Sequence, residues 1–143
     1  MRTLVVDASV AVKWVVEEPG TQEALALRAV SRLLAPDLLV AECANILWKK
    51  VQRQELAPQE AFLAASLLER ADVELLPGRA LLEAATRIAI QINHPAYDCV
   101  YVALALENDC SFVTADQRLV TKLDRGPPAF RGRAIALAHA AQM

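Results

Sequence analysis

Apolar residues along this chain change their rhythm repeatedly, and each change marks a predicted element. Thr3 to Val6 is a short, largely β-branched run that reads as a strand and stops at Asp7, after which Ser9 offers an N-cap for a helix over Val10 to Val16. Pro19-Gly20 breaks the chain, Thr21 is placed to cap a second helix through about Val30, and Leu33 to Ala35, closed by Pro36, reads as a second strand. From Asp37 onward Leu38, Ala41, Glu42, Asn45, Ile46, Lys49 and Arg53 recur with helical period until Leu56-Ala57-Pro58. Pro58 suits the first turn of the next helix, which runs to about Ala71, and Val73 to Leu76 reads as a third strand. Pro77-Gly78 opens a helix with Leu81, Leu82, Ala85, Ile88 and Ile92 on one face, and Asn93-His94-Pro95 ends it. Ala96 to Glu107 is a further helix, Ser111 to Thr114 a fourth strand, and Asp116 to Leu123 a last short helix. Beyond Gly126-Pro127-Pro128, Ala134 to Leu137 reads as a final edge strand.

Strands alternating with helices imply an α/β domain whose small, mainly parallel sheet is covered on both faces by right-handed crossovers. A chain of 143 residues without repeat, linker or low-complexity stretch is expected to form a single domain over residues 1–143. Hydrophobic residues make up 55% of the chain but aromatic residues only 5%, so Ala, Val, Leu and Ile must build the core. No apolar run approaches the ~18 residues that would span a bilayer. The opening Met1 to Asp7 is too short and too soon acidic for a signal peptide, so a soluble cytoplasmic protein is expected. Cys43, Cys99 and Cys110 are odd in number and lack Cys-x-x-Cys spacing, which argues against a disulfide framework or a zinc site and for reduced thiols. A net charge of -2 provides no global field for nucleic acid, so such a substrate would need a local basic patch and a metal.

The candidate chemistry lies in four acids, Asp7, Glu42, Asp98 and Asp116, each at a break in the apolar pattern. In parallel sheets ligands gather at the carboxyl ends of the strands. Asp7 and Asp116 follow predicted strands, and Glu42 and Asp98 lie in the first turns of helices that begin at the same edge. Each alone has an ordinary structural explanation: a turn acid, an exposed helix acid, an acid at a helix N-terminus, an N-cap. Converging acids repel one another and are costly to desolvate, so together they point to a divalent cation. Ser9, Asn45 and Thr114 are the polar residues placed to support them, although capping is the commoner job for residues placed like Ser9 and Thr114. Lys13, Lys49, Lys50 and Arg53 form the notable basic grouping outside the tail, read either as solvated helix surface or as phosphate contacts. His94 and His139 lack ligand-spaced partners, and no Ser or Cys triad is visible.

These residues resemble the PIN-domain ribonucleases, and most closely the VapC toxins of toxin-antitoxin pairs. Four ordered segments carry the resemblance over essentially the whole chain: Val5-Val6-Asp7-Ala8-Ser9-Val10, Pro36 to Leu47 with its Ala41-Glu42-Cys43-Ala44-Asn45, Tyr97-Asp98-Cys99-Val100-Tyr101-Val102-Ala103-Leu104-Ala105, and Phe112-Val113-Thr114-Ala115-Asp116-Gln117-Arg118-Leu119. The resemblance implies a three-layer α/β/α domain, metal-dependent endoribonuclease activity and control by a cognate VapB-like antitoxin, with DNA met only through that antitoxin. It also implies that Asp7, Glu42, Asp98 and Asp116 form the acidic site, with Asp7, Asp98 and Asp116 as metal ligands and Ser9, Asn45 and Thr114 in support.

The chemistry of the residues agrees with that reading. Carboxylate oxygens suit Mg²⁺ or Mn²⁺, which would lower the pKa of water and neutralise a scissile phosphate, so hydrolysis is expected to leave a 5′-phosphate and a 3′-hydroxyl. Lys13, Lys49 and Arg53 are the candidates for substrate contact. An aspartate-nucleophile phosphatase would need a second Asp where Ser9 stands, and a phospho-acceptor receiver domain would need an acid pair and a late Lys that are absent. The remaining alternative is a catalytically silent PIN-like scaffold that binds RNA or an antitoxin. Trp14, Trp48, Leu63 and Leu67 give more apolar helix surface than a small sheet covers, so a homodimer or a docked antitoxin is expected.

Overall fold

The centre of the sheet is β1, Arg2–Val6, whose Leu4, Val5 and Val6 are buried on both faces. A computed structural model describes residues 1–143. It adds β2 (Ser31–Pro36), β3 (Glu74–Leu76), β4 (Ser111–Thr114) and β5 (Ala134–Ala136) in the order β3-β2-β1-β4-β5. All pairings are parallel, with Val5 set between Leu34 and Phe112. Such doubly covered strands read as unbroken apolar runs, as β1 and Phe112-Val113 of β4 do.

The helices are α1 (Ala8–Ala11), α2 (Thr21–Val30), α3 (Leu38–Gln52), α4 (Pro58–Glu69), α5 (Leu82–Ile92), α6 (Ala96–Glu107), α7 (Gln117–Asp124) and α8 (Leu137–Gln142). The chain steps outward from β1 to β2 and β3, then returns past β1 to β4. With right-handed crossovers, that reversal sets α5 and α6 on the face opposite α2 and α3. Contacts of α6 with β1, β2 and β4, and of α2 with β2, supply the two helical layers. The expected three-layer α/β/α architecture is thus the observed one. Tyr101 of α6 stacks on Phe112 of β4 with ring centroids 5.3 Å apart, one of few aromatic contacts in an aliphatic core. No helix is long and apolar enough to cross a membrane.

Several local expectations are corrected. Asp7, not Ser9, caps α1, because its Oδ1 accepts from the Val10 N–H at 3.1 Å. That helix ends at Ala11 and tightens into a 3₁₀ turn over Val12–Trp14. Gly20, at φ +95°, occupies the N-cap position of α2 in the left-handed region that favours glycine. The Thr21 hydroxyl instead accepts from the Glu18 N–H and donates to the Val16 carbonyl, fixing the turn before the helix. The last strand stops at Ala136, and Leu137 starts α8, which packs on α2. Trp14 is buried rather than surplus surface, its indole N–H donating to the Ala24 carbonyl at 3.0 Å, whereas Trp48, Leu63 and Leu67 are exposed. All three cysteines are free thiols.

Candidate active site

β1 and β4 are neighbours at the point where the strand order reverses, so a crevice opens beyond their carboxyl ends. Asp7 follows β1 directly and Asp116 stands two residues past β4, while Asp98 lies in the first turn of α6 and Glu42 on the inward face of α3. The fold brings all four acids to one open cavity of about 730 Å³, together with Ser9, Asn45, Thr114 and Lys49.

Asp7 is the most constrained of the four. Its Oδ1 accepts from the Ser9 hydroxyl at 2.6 Å and from the Val10 N–H, and its Oδ2 accepts from the Thr114 hydroxyl at 3.0 Å. Ser9 and Thr114 therefore both hold this carboxylate. Burial pushes the Asp7 carboxyl up to about 6 despite these hydrogen bonds, and the charge of Asp98 adds to the rise. No basic side chain hydrogen-bonds to Asp7.

Asp116 caps α7 with Oδ1, which accepts from the Arg118 and Leu119 N–H groups at 3.0 and 3.4 Å. Its own N–H donates to Thr114 Oγ1, so one threonine links the acids of adjacent strand ends. Glu42 Oε1 accepts from the Tyr101 hydroxyl at 2.5 Å. Burial raises the Glu42 pKa, the Tyr101 hydrogen bond opposes that rise, and Asp98 reinforces it. Burial, then the bond to Glu42, drives the Tyr101 phenol far above its ordinary range, so it acts here as a fixed donor. Burial and the neighbouring charges of Glu42 and Asp7 push the Cys43 thiol up to about 12, which removes it as a nucleophile.

Two groups escaped the sequence reading. His94 does have ligand-spaced partners: its Nε2 lies 2.7 Å from Asp98 Oδ2 and 3.8 Å from Asp116 Oδ2. One ligand atom from each of His94, Asp98 and Asp116 falls within 4.8 Å of the others. The i,i+4 spacing of His94 and Asp98 was the available signal, obscured by the intervening Pro95. Tyr101 was hidden inside the apolar run of α6, although it stands three residues after Asp98 and so near the same face.

The basic residues divide. Lys49 lines the acidic cavity. Lys13 does not; its Nζ pairs with Glu18 Oε2 at 2.9 Å. Arg53 closes the C-terminus of α3, exposed and outside the cavity. The donor set fits a hard divalent cation. Carboxylates from four elements converge, and the buried Asp7, crowded by like charge, takes no hydrogen bond from a cationic side chain.

Comparison with known proteins gives a consistent result. Residues 4–125 match the family model described as "PIN domain". Ribonuclease VapC9 of Mycobacterium tuberculosis is 37% identical over 117 residues, covering 81% of this chain and 87% of its own. Ribonuclease VapC3 of Pyrobaculum aerophilum is 33% identical over 125 residues, covering 83% and 93%. Among solved structures, PAE2754 from Pyrobaculum aerophilum superposes with a TM-score of 0.65 at 21% identity, covering 99% of this chain and 97% of that one. VapBC2 from Rickettsia felis, bound to a DNA fragment from its promoter, reaches 0.61 at 10% identity, covering 94% and 98%.

Proposed function

The chain belongs to the PIN-domain family, and from that premise we propose that residues 1–143 form a single-domain endoribonuclease, dependent on Mg²⁺ or Mn²⁺, that serves as the toxin of a toxin-antitoxin pair. One observation carries the reading: Asp7, Glu42, Asp98 and Asp116 meet in one cavity at the switch point of the sheet, in a chain whose relatives at 33–37% identity are named VapC ribonucleases.

Asp7, Asp98 and Asp116 would hold the cation. When bound, such an ion neutralises charge at a phosphate and lowers the pKa of water. Ser9, Val10 and Thr114 keep the Asp7 carboxylate from turning, so the site is shaped before substrate arrives. Glu42, with one oxygen held by Tyr101 and its pKa raised, is the group suited to take a proton from the attacking water. Lys49 at the cavity wall meets a phosphate of the RNA, and Asn45 of the same helix adds a polar contact. Water adds to phosphorus and the bond to the ribose 3′ oxygen breaks, leaving a 5′-phosphate and a 3′-hydroxyl.

The partner is a VapB-like antitoxin, which supplies any contact with DNA. An apolar groove of about 500 Å³ along α3 and α4, lined by Leu39, Cys43, Leu47, Ala65 and Leu68, suits an amphipathic antitoxin segment. The acidic cavity lies along the neighbouring face of the same helix, where a basic side chain of the partner would enter among the carboxylates. Exposed Trp48, Phe62 and Leu63 support a homodimer, and the setting is the cytoplasm.

The test is RNA cleavage with Mn²⁺. Asp7→Asn should lower the rate at least about a hundredfold, the several kcal/mol that metal assistance supplies, and chelation should abolish cleavage by wild type. Absence of metal-dependent cleavage sensitive to Asp7→Asn would overturn the nuclease reading and leave the silent scaffold.

A further inference from the structure

The acids of the cavity are not held by equal means. Asp7 has three donors, whereas the side-chain hydrogen bond to Asp98 comes from His94. His94 occupies the tight corner between α5 and α6, buried, with its N–H donating to the Ala89 carbonyl at 3.1 Å. Asn93, at φ +54°, turns the chain there, and its carbonyl accepts from Lys122 Nζ at 2.7 Å. The same ammonium lies 3.3 Å from His94 Nδ1.

An ammonium only donates, so this contact requires a lone pair on Nδ1, and the ring proton then sits on Nε2. That nitrogen faces Asp98 Oδ2 at 2.7 Å as a donor and is unavailable as a metal ligand. Lys122 belongs to α7, the helix capped by Asp116, so one strut ties the helix of Asp116 to the carboxylate of Asp98.

We propose that His94, with its tautomer fixed by Lys122, is a positioning residue of the cation site. It orients Asp98 through Oδ2 and sets the separation of Asp98 from Asp116, while Asp98 Oδ1 and Asp116 Oδ2 take no hydrogen bond from the protein and would be free for an ion. This rests on the cation reading above. Hydrogen bonds that orient metal ligands commonly affect metal affinity by 10–100-fold.

Mn²⁺ binding, followed by loss of the free-ion electron paramagnetic resonance signal, tests the assignment, with circular dichroism to establish folding. A Gln amide reaches the place of Nε2 and an Asn amide does not. His94→Gln should therefore bind Mn²⁺ within about threefold of wild type, while His94→Asn should weaken binding about 10–100-fold and Lys122→Met about tenfold. Wild-type affinity in folded His94→Asn overturns the proposal, even if its melting temperature falls. A His94→Gln variant as weak as His94→Asn overturns it in favour of direct ligation by the ring. Wild-type protein that binds no Mn²⁺ overturns the cation reading itself, and this assignment with it.

Discussion

Helix α3 takes part in two charged clusters in which burial opposes ionisation, more strongly at Asp7 than at the partly buried Glu18, and which the fold resolves in opposite ways. Near its start Glu42 joins Asp7, Asp98 and Asp116 around the cavity. Near its end Lys50 reaches Glu18 Oε1 at 2.5 Å and Glu55 at 3.4 Å, while Lys13 holds Glu18 Oε2. Burial works against the charge of Glu18 too, yet the hydrogen bonds from Lys50 and Lys13 hold its carboxyl below the ordinary value. At Asp7 burial prevails and the carboxyl rises to about 6. The difference lies in burial and in counter-charge: Glu18 is only partly buried and hydrogen-bonded by two lysines that fasten the turn after α1 to the end of α3, whereas Asp7 is deeply buried and takes no hydrogen bond from a cation. A satisfied cluster supports the fold, while an unsatisfied one lowers stability in exchange for chemistry.

Breaking the acidic side should give the largest effect. In metal-free protein the raised Asp7 pKa means that the folded state binds the extra proton between about pH 4 and 6, so stability falls as pH rises through that window and stays low above it. Asp7→Asn should remove this fall and raise stability at pH 7.5 by up to about 3 kcal/mol, read from urea unfolding with chelator present. Next, Mn²⁺ at a hundred times its dissociation constant should stabilise wild type by about 2.7 kcal/mol and leave Asp7→Asn unmoved.

The balanced cluster should respond with the opposite sign. Glu18→Gln should cost about 1–2 kcal/mol at pH 7, because Lys13 and Lys50 lose their shared partner while remaining partly solvated. Since the Glu18 pKa is lowered, its contribution is present above pH 4.5 and is lost as pH falls through the folded-state value, so the variant should lack that acid-side loss. Its response to Mn²⁺ should match wild type; a blunted response would erase the distinction between the clusters. The smallest effect is expected from Tyr101→Phe, which removes the donor to Glu42: about 1 kcal/mol or less in stability, with a shift in the pH profile of cleavage that Glu18→Gln does not show.

The sequence exposed the parallel sheet and the four acids because both depend on local pattern. Buried strands read as apolar runs, and an acid after such a run stands out, as Asp7 after Val6 and Asp116 after Thr114 both do. What escaped depends on contacts distant in sequence or on competition between neighbours. Lys13 was a reasonable phosphate contact until the bend at Val15-Val16 brought Glu18, five residues on, back to it. Asp7 and Ser9 could each cap α1, and only the backbone decides for Asp7. His94 looked like part of a helix stop, since its role arises from Lys122, 28 positions later. Helix α8 gave little signal because Ala138, Ala140 and Ala141 mark no face until α2 is there to receive one.

Asp7 is held from near and from far along the chain: Ser9 lies two residues away, and Thr114 lies 107. β1 leaves a ribosome before β4 and gains it as a neighbour only after Ser111–Thr114 has followed it out. At ~5–20 residues per second, that separates the first acid from its threonine by several seconds of synthesis. A growing chain therefore carries Asp7 in an unfinished pocket, and the four acids come together only once β4 has joined β1.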